Sequence, residues 1–247
     1  MPIIYLSPST QEWNPYVDGG NEEYYMNLIA DAMEPYLRAN GIQFVRNTPD
    51  MTAASSIRAS NAGNYDLHVA LHSNAAPAGR EGQVRGSEVY YAAVSRNGKR
   101  AADIIANNLK LIYPDPNRVR ALTTNNLGEV TKTKAPAVLI EFAYHDNPED
   151  AQWIRDNIDE IAQNVVLSLT EYFGIPFVTP VPIRYGRVRV SPGSYLNIRS
   201  RPALGAPVIR RAYNGETLAI VGQTDGWYVV EIDDVVGYAY SDYIVVA

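Results

Sequence analysis

Residues 66–76 read DLHVALHSNAA, an apolar strand that carries two histidines and runs into a Ser-Asn-Ala turn. Val69 and Leu71 alternate with His68, Ala70 and His72, so in an extended chain both imidazoles share one face of a sheet. Their positions along the strand differ. His68 lies inside it, where neighbouring strands enclose it, and reads as a buried imidazole satisfied by a hydrogen bond. His72 stands at the carboxyl end, where open α/β sheets place their ligands, and is the candidate metal ligand.

Outward from this strand the pattern alternates. Residues 3–6 are a first apolar strand, residues 7–20 a polar loop punctuated by Pro and Gly, and residues 21–39 a helix with Met26, Ile29, Ala30, Met33 and Leu37 at helical spacing. Asn21 is placed to cap that helix, with acids in its first turn. A strand over 42–45 and a short helix over 52–61 lead into the histidine strand. Beyond it come a strand over 86–91, an amphipathic helix over 99–113, a doubly buried strand over 137–142 and one long closing helix over 150–173. Strands alternating with helices predict an α/β fold, a mostly parallel sheet with helices on both faces.

The composition changes at residues 174–183, GIPFVTPVPI, whose three prolines among β-branched residues make a stiff, extended linker. From there on, short strands over 187–190, 196–199, 217–223, 227–232 and 236–240 are divided by Gly, Pro and Asp turns, the pattern of a small all-β barrel. The organisation is therefore a large domain over 1–174, a linker over 175–184 and a barrel over 185–247.

The totals narrow the function. A formal net charge of -6 and the lack of any dense Lys/Arg cluster argue against nucleic acid as a partner. No stretch reaches the ~18 apolar residues of a membrane span, and residues 1–10 do not read as a signal peptide. With no cysteine, a metal here takes histidine and carboxylate ligands. Eighteen tyrosines against four phenylalanines are compatible with aromatic surfaces that meet sugars or peptides, and equally with a tyrosine-rich core rim.

Metal-assisted hydrolysis needs two or three ligands, an open position and a carboxylate that takes and returns a proton. Glu23 in the first turn of the first long helix, His72 and Glu141 supply these types. Glu141 lies near the carboxyl end of an apolar strand, where burial raises a carboxyl pKa toward the range of a general acid/base.

Three segments, GNEEYYMNLIAD at 20–31, DLHVALHSNAA and PAVLIEFAYHDNPED at 136–150, taken in series resemble the hallmark segments of the zinc-dependent N-acetylmuramoyl-L-alanine amidases that cut bacterial cell wall. The resemblance covers about the first seven-tenths of the chain and implies an amidase/phosphorylase-like fold. It also implies one zinc per chain held by Glu23 and His72, with Glu141 polarising the attacking water. Glu22 faces another way on the helix and reads as solvated, and Glu23 keeps the family's spacing to Asn27 and Leu28. The substrate implied is the amide between N-acetylmuramic acid and L-alanine of the stem peptide.

The chain departs from this family at its first ligand. A histidine is expected after the first strand, and Thr10 stands there. Gln11, Glu12 and His145 are the substitutes within reach of that loop. A chain without its first ligand also admits a non-catalytic reading, a wall-binding protein on the same fold, and a changed ligand set admits a wall peptidase or deacetylase.

In the last quarter, YLNIRSRP at 195–202, Gly215-Glu216, GWYVV at 226–230 and GYAY at 237–240 resemble bacterial SH3-like domains. The resemblance implies a cell-wall-targeting role, with Trp227, Tyr228, Tyr238, Tyr240 and Tyr243 available for an aromatic groove and Trp227 equally able to plug the barrel core. The expectation for the whole is a monomeric peptidoglycan hydrolase acting in the cell wall or outside the cell, as an autolysin or an endolysin. It would be reached by export or lysis after synthesis in the cytoplasm.

Overall fold

The computed structural model describes residues 1–246. Two compact units divide the chain. One holds Ile3–Glu34 and Phe44–Phe173; the other holds the chain from Gly174 on, together with Met1–Pro2 and Pro35–Gln43.

In the first unit the strands are β1 (Ile3–Pro8), β2 (Gln43–Arg46), β3 (Leu67–Asn74), β4 (Ser87–Ala92), β5 (Val119–Thr124) and β6 (Ala137–Tyr144). The helices are α1 (Glu22–Ala39, of which Glu22–Glu34 belong to this unit), α2 (Ala53–Ala62), α3 (Arg96–Leu109), α4 (Gly128–Thr131), α5 (Pro148–Asp156) and α6 (Ile158–Phe173). The sheet order is β2-β1-β3-β6-β4-β5. Strands β1, β3 and β6 run parallel to one another, while β4 lies antiparallel to β6 and parallel to β5. The sheet is thus mixed but mostly parallel. Both β3 and β6 are buried along nearly their whole length, which is why their sequences are near-continuous apolar runs. Burial of each Val, Leu or Ile there contributes about 1.5–3 kcal/mol.

Local chemistry sets the helix ends. Thr52 and Ser55 form a capping box at the start of α2, and Ser95 accepts from the Gly98 amide at the start of α3. Asn147 caps α5, with Pro148 in its first turn. The closing helix differs from expectation in being two. At Asn157 the backbone leaves helical geometry, and its side chain donates to the Trp153 carbonyl, ending α5 before α6 begins. Strand β5 and helix α4 escaped the sequence pattern because Thr, Asn and Gly dominate the segment that carries them.

The second unit contains β7 (Arg184–Val188), β8 (Tyr195–Arg199), β9 (Val208–Tyr213), β10 (Thr217–Thr224), β11 (Trp227–Ile232), β12 (Val235–Tyr240) and β13 (Ile244–Val246). Their order is β13-β7-β10-β11-β12-β8-β9, with antiparallel pairing throughout. Two strands, β9 and β13, lie outside the alternation that the sequence shows. Arg210 and Arg211 interrupt the apolar alternation of the first, and the second is only three residues long. Val188, Leu196, Ile198, Leu218, Ile220, Val230 and Ile232 form much of the barrel core. The β11–β12 hairpin turns on Asp233 and Asp234, both at positive φ (47° and 60°), the two-residue turn whose twist suits a hairpin.

Candidate active site

Register brings the first polar groups together. In the parallel β3/β6 pair His72 stands opposite Glu141, and in the antiparallel β4/β6 pair Glu88 stands opposite Glu141, so the three lie side by side across the sheet. Alternation puts His68, Ala70 and His72 on that face, together with Leu139 and Tyr90. Helix α4 covers it through Val130, which packs on Ala70 and Leu139.

The helical acid beside His72 is Glu22, in place of the expected Glu23. Glu22 is 1% exposed, and its Oε1 lies 2.8 Å from His72 Nδ1. Glu23 instead lines a surface groove with Tyr24, Asn27, Asp31 and Arg46. The reason is helical phase. Counting back from the fully buried Leu37, Met33, Ile29 and Met26 lands on Glu22, so this acid continues the apolar stripe into the site, and Glu23 sits about 100° around the helix. The stripe was legible in the sequence and would have selected Glu22.

The loop after β1 closes over this pair. Asn14 Nδ2 donates to Glu22 Oε2 at 2.6 Å, and the Gln11 carboxamide lies 3.3 Å from His72 Nδ1 and 3.4 Å from Glu22 Oε1. Of the three substitutes for the missing histidine, only Gln11 reaches the site. Glu12 is exposed on the loop, and Thr10 is buried. His145 is buried elsewhere, stacked on Tyr16 with its Nδ1 3.0 Å from the Ser73 carbonyl. Being four residues past Glu141, it lies in the turn that follows β6 rather than on the strand.

Glu129, on α4, carries no signal of its role in the sequence. Its Oε2 lies 3.0 Å from His72 Nε2, so His72 is held between two carboxylates. Burial disfavours charge on the ring, but Glu129 and Glu22 outweigh it and raise the His72 pKa well above the usual histidine range. Burial likewise pushes Glu22 and Glu129 up, and the hydrogen bonds and charge of the histidines reverse this, leaving both carboxyls below their ordinary values. No periodicity marks Glu129, because a four-residue helix has none to show.

Glu141 behaves oppositely. Its Oε2 is shut off from solvent and has no hydrogen-bond partner. Burial, opposed by His72 and reinforced by Glu22, Glu88 and Glu129, pushes its pKa up to about 7. Its neighbour Glu88 is fully engaged, receiving hydrogen bonds from Tyr90 Oη (2.7 Å), Asn74 Nδ2 (3.2 Å) and Arg120 (2.6 Å). Glu141 thus borders a cleft of about 590 Å³ lined by Asn74, Tyr90, Thr124, Asn126 and Leu127. A free, half-neutral carboxyl beside an imidazole and a second carboxylate is suited to proton transfer.

The family model for N-acetylmuramoyl-L-alanine amidase matches residues 11–171. The chain belongs to this family. The amidase segments of solved structures share its fold. An N-acetylmuramoyl-L-alanine amidase from Clostridium difficile 630 superposes with a TM-score of 0.63 at 20% identity, covering 70% of this chain and 97% of that one. The amidase AmiC2 of Nostoc punctiforme gives 0.61 at 18% identity, over 70% and 97% of the two chains. A comparison with curated proteins finds no match.

A second family model, bacterial SH3 domain, matches residues 194–245, beyond the amidase match. There Trp227, Tyr240 and Tyr243 line a cavity of about 570 Å³ with Tyr195, Leu204 and Arg199. Trp227 is both wall and packing, 7% exposed and edge-on to Tyr240 at 5.4 Å between ring centres. Tyr228 packs against the barrel core and lies outside the cavity lining. Tyr238 is fully buried against Val221, Trp227 and Val229 and offers no surface to a ligand. Among the described residues no helix is long and apolar enough to cross a membrane.

Proposed function

We propose that the chain is a zinc-dependent peptidoglycan hydrolase that cuts the amide between N-acetylmuramic acid and L-alanine of the stem peptide. One observation carries the reading: His72 and Glu141 occupy the same register position of adjacent strands, with Glu22 bonded to the first and nothing bonded to Oε2 of the second.

The donor set fits a zinc ion. No three His, Cys, Asp or Glu side chains among the described residues converge as a metal site, and the further donor beside Glu22 and His72 would be the Gln11 carboxamide. Its oxygen and nitrogen exchange places by a half-turn, which presents an oxygen to the Glu22–His72 pair. Separations of 2.8, 3.3 and 3.4 Å among the three donor groups approach the ~3.3 Å between two ligands of a tetrahedral zinc. The non-catalytic alternative, a wall-binding protein on the same fold, rests on Thr10 replacing a histidine; the nearness of Gln11 to His72 favours the catalytic reading. Glu22, His72 and Gln11 would hold one zinc, which when bound polarises the scissile carbonyl and acidifies water.

The Glu141 carboxyl then takes the proton of the attacking water on its cleft side and returns it to the amide nitrogen as the carbon–nitrogen bond breaks. With a pKa about 7 it is poised for both transfers near neutral pH. Action at the cell wall, reached by export or lysis, and wall attachment through the barrel complete the proposal. Digestion of purified sacculi followed by mass spectrometry tests it. Intact stem peptides with a free L-alanine amine are expected. Fragments cut within the peptide, deacetylated sugars or no product at all would overturn it.

A further inference from the structure

Behind His72, on the side away from Glu22, lies a buried layer that the proposed hydrolysis does not use. Glu129 Oε1 receives the Ser7 hydroxyl at 2.5 Å and lies 3.3 Å from His68 Nε2, while its Oε2 lies 3.0 Å from His72 Nε2. His68 Nδ1 faces Ser60 Oγ at 3.0 Å, and its ring stacks on Tyr5 with centres 5.3 Å apart and planes 13° from parallel. Ser7 Oγ is itself 2.7 Å from Ser56 Oγ. All of these groups are buried, and they come from β1, α2, β3 and α4.

An ionised carboxylate only accepts hydrogen bonds, so each imidazole nitrogen facing Glu129 carries a proton. For His68 this fixes the Nε2–H form, with Nδ1 accepting from Ser60. For His72 the same rule places a proton on Nε2 toward Glu129 and, with no metal bound, on Nδ1 toward Glu22, the proton that a metal at Nδ1 would displace. Burying such a layer costs several kcal/mol unless every partner is in place, and an apolar set of the same size would avoid that cost. The layer is explained by what it does to His72.

We propose that Glu129, itself anchored by His68 and Ser7, is a positioning residue that fixes the ring of His72 with its Nε2 proton directed at Glu129 and its Nδ1 presented to Glu22 and Gln11. The proposal rests on the amidase reading for its purpose, but not for its geometry. Outer carboxylates that orient a ligand histidine in this manner change metal affinity by about 10–100-fold when removed.

Nitrogen-15 correlation spectra of the full-length, metal-free chain test it. Only three histidines are present, so the resonances that vanish in a His72→Gln variant are those of His72. A protonated His72 Nε2 with a downfield, slowly exchanging proton is expected. In Glu129→Gln, verified as folded by circular dichroism, that proton shifts upfield or exchanges at once, and zinc affinity measured by chelator competition falls roughly tenfold or more. An unprotonated Nε2 in the natural sequence overturns the proposal, and this reading needs no variant to fold. So does a His72 proton signal that stays unchanged in folded Glu129→Gln. If the unaltered chain takes up no zinc, the metal reading fails separately, and the Nε2 proton still decides the role of Glu129.

Discussion

At the scale of single residues, Glu141 is the group whose environment says most. An acid within the buried run AVLIEFAY is costly unless paired or functional, and its Oε2 is unpaired. Glu141→Gln is expected to lower wall digestion by about 10²–10⁴-fold with the fold intact, measured as dye release from labelled sacculi. The pH profile should follow from the same burial. A base works ionised, so with a pKa about 7 the kcat/KM should climb roughly tenfold per unit below neutrality and level off above it. A profile flat from pH 5 to 8 would contradict that role. Gln11 is tested by metal content: Gln11→Ala should hold zinc at least about tenfold more weakly in equilibrium dialysis, no less than the loss of an outer partner costs.

At the scale of elements, helix phase and strand register do the positioning. Because Glu22 continues the stripe of Met26, Ile29, Met33 and Leu37, Glu22→Ala should abolish digestion, while Glu23→Ala should leave its rate within about twofold. Equal loss in both would mean that the first turn of α1 is phased otherwise. The far end of β6 is fixed by Asp150 on α5, which is fully buried. It accepts from Tyr113 Oη (2.6 Å), the Gly86 and Tyr144 amides (both 3.0 Å) and Arg85 Nε (3.1 Å). Asp150→Ala leaves these donors buried and unpaired, and should destabilise the amidase unit by about 3 kcal/mol or more in urea unfolding.

For the whole molecule, the proposed function divides labour between the two matched families: weak wall attachment by the SH3 unit would raise the effective concentration of wall for the amidase unit. The aromatic cavity of the SH3 unit is where attachment is expected. Tyr240→Ala in the full chain should weaken co-sedimentation with sacculi by roughly five- to thirtyfold, the loss of one aromatic anchor worth about 1–2 kcal/mol. Digestion of short soluble wall fragments should be unaffected. Equal loss on both substrates would tie the cavity to folding instead of attachment.

Alternation and helical spacing by themselves determined the α/β unit, the barrel after a proline-punctuated segment, and the strand ends bearing His72 and Glu141, because periodicity is a local property that burial imprints on every buried strand and helix. The stripe on α1 also held the choice of Glu22, although resemblance to family spacing pointed to Glu23. Only the tertiary structure decided the rest. Glu129 reaches His72 across 57 residues of sequence and Gln11 across 61, from a four-residue helix and an irregular loop. Tyr238 and Tyr240 alternate alike in one strand, yet one is sealed and the other lines a cavity. Contacts between segments far apart in the chain leave no period in either segment, so they exist only once the sheet, the loop and α4 have closed around the same imidazole.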